Sequence, residues 1–505
     1  MNRSSTLSVS IALLLAVILI NLIDSSEVQA DDLTIVNTDL LPSADEIQQW
    51  HVLKDKAGPT HSGSPSWLNY MAIVESHFEE SGMIDVTKDT FSYDRWYTSE
   101  YKADGKWTLS LGDTPIDVAS YWAYSGSTGP SGVTAPLIYY DRGNPPKDLA
   151  GKIVVFEVAA LPSRLPDMFE GPGYEFATDA ENLTANAAVT SNQWYMANYV
   201  TRIGKLDTIV RDSGAAAALV IFELGPGRAA GLYTFPLLEP GVVGVPGLYL
   251  DRNAGQQVKP AALEGREATL TLLVEEEAVD SYFYTGFLPG KNYGTDKDEY
   301  VLMVTHTDGP NLTQENGGFG LMSVIRYFSH IPQADRPRTL VVMMDPQHFM
   351  PHRHMTDWFK LHPEIMSKVV ATIGIEHLGQ REYVEQGDDF VLSGQSEPAL
   401  VFSQDNDFLI EQAINAVKAF EVPRTMVQSP PRGNQGIWAG MSDIAIKKNF
   451  PGYGMSTNMS AYWSTHARLD SFDKDLFRKQ IGVAVHLTSV LMTTDLNKMA
   501  VLRKD

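Results

Sequence analysis

The sequence predicts an α/β protein, a mostly parallel sheet flanked by helices and interrupted by a β-rich insert. Three observations predict it. From about Tyr282 onward the apolar runs YVLMVTH, TLVVMMD and VVATIGI alternate with helical stripes, first Leu321, Val324, Ile325 and Phe328, then Ile410, Ala413, Ile414 and Val417. Between about Ala123 and Val279 the pattern changes to short runs such as APLIYY, KIVVF, AAALVIF and VGVPGLYL, separated by Gly/Pro-rich turns. No internal period recurs and no tract is low in complexity, which argues against solenoids and propellers.

In chain order, residues 1–30 read as a signal peptide. Arg3 supplies the positive start, LSVSIALLLAVILINLI the apolar stretch, and VQA before Asp31 a small-x-small cleavage site. The protein is therefore expected to be exported, periplasmic or secreted, with no stable membrane anchor after cleavage. Residues 31–122 are expected to form the N-terminal part of the main domain. There Trp67, Met71, Val74 and Phe78 make a helical stripe closed by Gly82, followed by a strand through Val86 and Phe91. Residues 123–279 form the insert, in which Leu161–Thr201, rich in Pro, Asn and Ala, is a candidate covering loop. Residues 280–505 complete the α/β domain, with Ser471 and Asp473 marking the start of the last helix.

Composition narrows the chemistry. The 505 residues carry a net charge of -23, which repels phosphate backbones and anionic headgroups and so excludes nucleic acid as the expected partner. The chain has no Cys, which removes disulfides, Cys-ligated zinc, iron–sulfur clusters and thiol nucleophiles. Any metal must be held by His, carboxylate or amide groups.

Seven of the 12 His residues fall between His306 and His377. His306 and Asp308 follow the run YVLMV as a His-x-Asp at a strand end, where an acid can order a metal-binding imidazole. TLVVMMD ends in Asp345, followed by Gln347 and His348, with His352 and His354 in a polar loop beyond. VVATIGI delivers Glu376 and His377, so three successive strands present His or carboxylate at what should be one edge of the sheet. Far downstream, STHARLDSFD places His466 before the last helix. Together His306, His348, Glu376 and His466 offer the borderline nitrogen and hard oxygen that zinc accepts.

These residues resemble the zinc-dependent aminopeptidase and carboxypeptidase family that carries an inserted protease-associated domain, the group of glutamate carboxypeptidase II and the transferrin receptor. The likeness runs through GPTHSGSPSWLNYMAIVESHFEESGM, then DLAGKIVVF, RDSGAAAALVIF and VVGVPGLYL for the insert. It continues through YTGFLPGKNYGTDKDEYVLMVTHTDG, SDIAIKKNFPGYGM and WSTHARLDSFD. The resemblance implies that His306 is a zinc ligand, that Asp308 orients it, and that Asn316 falls where the family places an Asp bridging two ions. It further implies that Gln347 and His348 fall on a Glu-Glu pair, general base and ligand, and that Glu376 and His466 are ligands.

Asn316, His348 and Glu376 would bring one negative charge where the family brings three, so one divalent ion, zinc by preference, or none is expected rather than two. Gln347 cannot accept a proton at neutral pH, which leaves Glu315, Asp345, His348 or His377 to act as the base. The expected function is a metal-dependent hydrolase of an amide or ester bond in a small molecule or peptide. The alternatives are a catalytically silent binding protein, or a non-hydrolytic acid/base enzyme (isomerase, lyase or cyclase) using His348 and His377. Arg432 and Asn434 sit in a Gly/Pro-rich loop, where a solvated Arg is the favoured reading and a clamp on a substrate carboxylate the alternative, and Tyr453 and Tyr462 flank the last His segment, where packing in the core or at the rim is expected. Homodimerisation through the α/β domain is a further expectation from the resemblance.

Overall fold

The computed structural model describes residues 33–100, 102–159, 174–185, 200, 204–233, 243–350, 355–432, 440–457, 460–461, 464–465 and 467–501. Residues 1–30, expected to form a signal peptide, His352, His354, Asn434, Tyr462, His466 and most of Leu161–Thr201 lie outside them. No helix among the described residues is long and apolar enough to cross a membrane.

The apolar runs become the middle of a nine-stranded sheet. Its main strands are β1 (Ile84–Tyr97), β2 (Glu275–Leu288), β3 (Tyr300–His306), β4 (Thr339–Asp345), β5 (Val369–Ile375), β6 (Ala399–Ser403), β7 (Thr425–Gln428) and β8 (Gly452–Thr457). They lie in the order β1-β2-β4-β3-β5-β8-β6-β7, with Phe176–Ala177 at the far edge. Every residue of β3 and β4 is buried, as unbroken apolar strands covered on both faces must be. Parallel pairing is confined to β4-β3-β5-β8 and to β6-β7, while β1, β2 and the β8-β6 junction are antiparallel, so the sheet is mixed around a parallel centre.

Among the described residues, the longer helices that pack on it are α1 (Ala44–Ala57), α2 (Pro65–Glu80), α3 (Gly317–Ser329), α4 (Asp407–Ala419) and α5 (Lys474–Thr493). The stripe in α2 buries Trp67, Tyr70, Met71, Val74 and Phe78. Ser64 caps its start, Pro65 opens it, and Gly82, at φ 74°, lies just beyond its end. Helix α3 begins on glycines because nothing larger fits: a Cβ on Gly317 would fall 2.0 Å from Thr305 Oγ1 and 2.4 Å from Ile375 O. That close approach wedges the first turn of α3 between β3 and β5, directly behind the strand ends that carry the histidines.

The insert forms its own eight-stranded sheet. It begins earlier than the sequence suggests, because Trp107–Leu111 and Thr114–Ile116 already belong to it, and it closes with Glu267–Leu272. Those first strands are too short to show a clear period, so the boundary expected at Ala123 fell inside the unit. A hairpin of the main domain, Arg381–Gln386 with Asp389–Ser396, docks on the insert. There Gly225 N donates to Glu385 Oε1 (2.9 Å) and Gly227 N to Asp388 O (2.9 Å).

Beneath that hairpin Glu382, Glu397 and Arg424 are buried together. Arg424 Nη2 donates to Glu382 Oε1 (3.0 Å), and Ser460 N to Glu397 Oε1 (2.6 Å). Burial pushes the Glu397 carboxyl up from 4.5 to about 8, Ser460 and Arg424 opposing and Glu382 adding. Because the folded value is the higher one, the native state holds a proton that the unfolded chain releases. The stabilisation it brings is complete at acid pH and lost as pH rises through about 8. Glu397→Gln is therefore expected to flatten the fall in melting temperature between pH 5 and 9. At pH 9 it should melt of the order of 2 °C above the parent in a thermal scan.

Candidate metal centre

The register of β3, β4 and β5 sets His306 directly beside Asp345 and brings the end of β5 level with it. The residues that leave those strand ends converge. His306 Nε2 lies 3.4 Å from Glu376 Oε2, His377 Nε2 lies 3.9 Å from the same oxygen, and the three groups' ligand atoms all fall within 4.8 Å of one another. All three residues are buried.

Each imidazole is held in the tautomer a metal needs. His306 Nδ1 faces Asp308 O at 3.1 Å, and His377 Nδ1 faces Thr457 O at 3.3 Å and Ser456 Oγ at 3.2 Å. A carbonyl on Nδ1 fixes the proton there and turns the lone pair of Nε2 into the cluster. His306 Nε2 makes no hydrogen bond to any described residue. The three buried ligand atoms lie close enough together to share one cation, so this His-Glu-His set fits a divalent ion.

Electrostatics point the same way. Burial works against a charge on Glu376, but His377 and His306 outweigh it and hold its carboxyl below the usual range. Burial opposes protonation of His306 too, yet Glu376 reverses the balance and lifts it to about 9, so a metal taking Nε2 would displace a proton held there by Glu376. Burial lowers His377 to about 4, leaving it neutral. Gly440 seats the carboxylate from the other side, since a Cβ there would fall 1.7 Å from Glu376 Oε1.

The other residues expected here are placed differently. His348 stacks on His306, ring centroids 4.3 Å apart, and so stands at the cluster without belonging to its closest set. Asp308 orders His306 through its backbone oxygen rather than its carboxylate. The carboxylate instead accepts from His348 N (2.9 Å) and Phe349 N (2.7 Å), anchoring the loop after β4, and burial pushes it well above its ordinary value. Gln347 is buried in that loop, its Oε1 without a hydrogen bond to any described residue.

Asn316 does not fit the ligand role. Its Oδ1 accepts from Leu378 N (2.9 Å) and its Nδ2 donates to Leu378 O (2.7 Å), so both ends of the amide are committed to backbone. The preceding residue takes the electrostatic place instead. Glu315 is fully buried, Oε1 has no hydrogen bond to any described residue, and it interacts with His306. Beside it Lys54, also buried, donates to Asn311 O (3.2 Å) with Nζ 3.9 Å from Glu315 Oε2. Burial lifts Glu315 to about 7, with Lys54 opposing, and lowers Lys54 to about 8, with Glu315 opposing. Lys54 on α1 carried no sequence signal beyond that of a basic residue in the last turn of a helix, beside Lys56, and only packing reveals it.

With three strand ends, the wedged helix and the buried His-Glu-His set in place, comparison with known structures becomes informative. This is the fold of solved zinc aminopeptidases. A peptidase precursor from Shewanella amazonensis is similar over 92% of this chain and 98% of its own, with a TM-score of 0.63 and 15% identity. A zinc aminopeptidase from Bacillus subtilis matches 89% of this chain and 95% of its own, at a TM-score of 0.58 and 13% identity. An aminopeptidase from an Aneurinibacillus strain matches 90% and 94%, at 0.55 and 13%. No protein-family model matches the chain, and no curated protein matches it.

The insert closes one side of this centre. Tyr124 Oη donates to Phe349 O (3.2 Å), and Phe349, next to His348, packs into the insert's core. Thr465 N donates to Gly231 O (3.0 Å), tying the segment that leads to His466 onto the insert. Arg432, by contrast, is engaged elsewhere. Its guanidinium reaches Asp405 (2.9 Å), Asp407 (2.6 Å) and Glu175 (3.3 Å), so three carboxylates engage it. Tyr453 is core, its hydroxyl donating to Leu409 O (3.0 Å).

Proposed function

We propose that the chain is a metal-dependent hydrolase of an amide or ester bond, working with one divalent ion, zinc by preference. The observation that carries this is the convergence of His306 Nε2, Glu376 Oε2 and His377 Nε2 in a buried pocket. A His-Glu-His set holding zinc supplies Lewis acidity, which polarises the carbonyl to be attacked. His466 follows the segment tied to the insert and is proposed as a further ligand, with His348 stacked alongside.

Glu315 is the proposed base. Gln347 cannot take a proton, whereas Glu315 Oε1 is buried, open to a hydrogen bond and electrically coupled to His306. Lys54 favours the ionised, proton-accepting carboxylate. Its ammonium also supports the count of one ion, because a second divalent cation beside Glu315 would sit against a fixed positive charge. The basic Arg3, the apolar run after it and the small-x-small VQA within residues 1–30 support export.

The test is metal content of protein purified without chelator, together with turnover of chromogenic aminoacyl amides and esters. About one ion per chain with turnover abolished by chelation supports the proposal. One ion without turnover of either class favours the silent binding protein or an acid/base enzyme in the same pocket, the reading Gln347 supports. No ion under zinc-replete conditions overturns it.

A further inference from the structure

We propose that Asn316 is a positioning residue that acts through Leu378 to hold His377 in the cluster; this rests on the metal-centre reading above. His377 is in the left-handed region, at φ 57°, which costs a residue with a Cβ free energy that its surroundings must offset. The next residue is where enforcement is found. Leu378 has both its N–H and its carbonyl bonded to one side chain, Asn316, at 2.9 and 2.7 Å. A primary amide is the group that can do this, presenting an acceptor and a donor to one peptide residue.

The amide is itself held in one orientation. Its Nδ2 lies 3.2 Å from His51 Nε2, and His51 Nδ1 lies 2.8 Å from Ile47 O. The carbonyl of Ile47 accepts from Nδ1–H, which leaves Nε2 as an acceptor and so requires nitrogen, not oxygen, at that end of Asn316. His51 stacks on Phe472 at 3.6 Å and is edged by Phe319 and Phe477, each at 5.1 Å, so the ring cannot turn to offer the other tautomer. A chain of fixed groups thus runs from Ile47 on α1 through His51 and Asn316 to Leu378 and His377. It joins the N-terminal helix to a ligand some 330 residues later in sequence.

Asn316→Asp separates the roles. A carboxylate keeps the acceptor for Leu378 N but loses both donors, and sets negative charge against a carbonyl and a histidine lone pair. We expect zinc and cobalt affinity, measured by competition with a chromophoric chelator, to fall 10- to 100-fold, the range for residues that orient ligands. The cobalt absorption spectrum should shift toward that of His377→Ala. Because the effect runs through His377, the double variant should bind no more weakly than His377→Ala alone. Wild-type affinity and spectrum in Asn316→Asp, or a double variant weaker by the product of the two single losses, would overturn the proposal.

Hydrogen exchange of the peptide containing Leu378 gives a metal-free reading. It should quicken at least tenfold in Asn316→Asp while other core peptides stay unchanged, and unchanged exchange overturns the clamp. If the parent binds neither metal, the metal-centre reading fails, and this exchange measurement still decides for or against the clamp.

Discussion

His306→Ala is expected to abolish divalent-ion binding, lowering affinity by more than about 100-fold, and with it any hydrolytic turnover. His306 contributes a buried nitrogen, its ring oriented by Asp308 O, so its loss removes one of the three converging ligand atoms. Removing it also leaves Glu376 with one imidazole instead of two, so the carboxyl should rise from its depressed position. Glu376→Gln should be nearly as severe, since a neutral amide neither attracts the cation nor matches the two histidines. Isothermal titration with zinc checks both, with circular dichroism to show that each variant is folded. Binding at parental affinity in His306→Ala would place the ion elsewhere and remove the basis of the proposed mechanism.

Lys54→Met is expected to destabilise the fold by about 3–5 kcal/mol, the cost of leaving a buried carboxylate without its counter-charge. Lys54 and Glu315 are 1% and 0% exposed, and no solvent is available to replace the ammonium. Glu315→Gln alone should cost less, and the double variant should recover most of the loss, because the charge that needed compensation is gone. Chemical denaturation of the four proteins at pH 7 forms the cycle. Additive losses would mean that the 3.9 Å approach of the two groups carries no coupling. Glu315→Gln should also lower turnover at least about 100-fold while zinc still binds, as loss of a general base does.

The sequence by itself determined the strands and what stands at their ends. YVLMVTH, TLVVMMD and VVATIGI are unbroken apolar runs, a pattern satisfied only by strands covered on both faces, and each passes straight into His306, Asp345 or Glu376. The stripe of α2 was equally legible, because its spacing, its cap and Gly82 all indicate the same helix. That the three strands are neighbours, and that their ends share one edge, follows from pairing across the sheet, to which local pattern bears no relation.

What tertiary structure alone decided is the part each polar group plays. Asn316 and Glu315 are adjacent in sequence, yet one is turned to the backbone of Leu378 and the other to His306 and Lys54. Spacing from His306 cannot tell them apart, since the turn before α3 sets their directions. Asp308 was legible as an orienting acid, but whether its carboxylate or its carbonyl did the orienting depended on where the loop after β4 placed two N–H groups. Arg432 had the chemistry of a substrate clamp until folding surrounded it with Asp405, Asp407 and Glu175. Hydrophobic burial is written in the order of residues because it depends on side-chain type and period. Hydrogen bonds and ion pairs depend on distances of a few tenths of an ångström between segments hundreds of residues apart, and those distances exist only once the chain has folded.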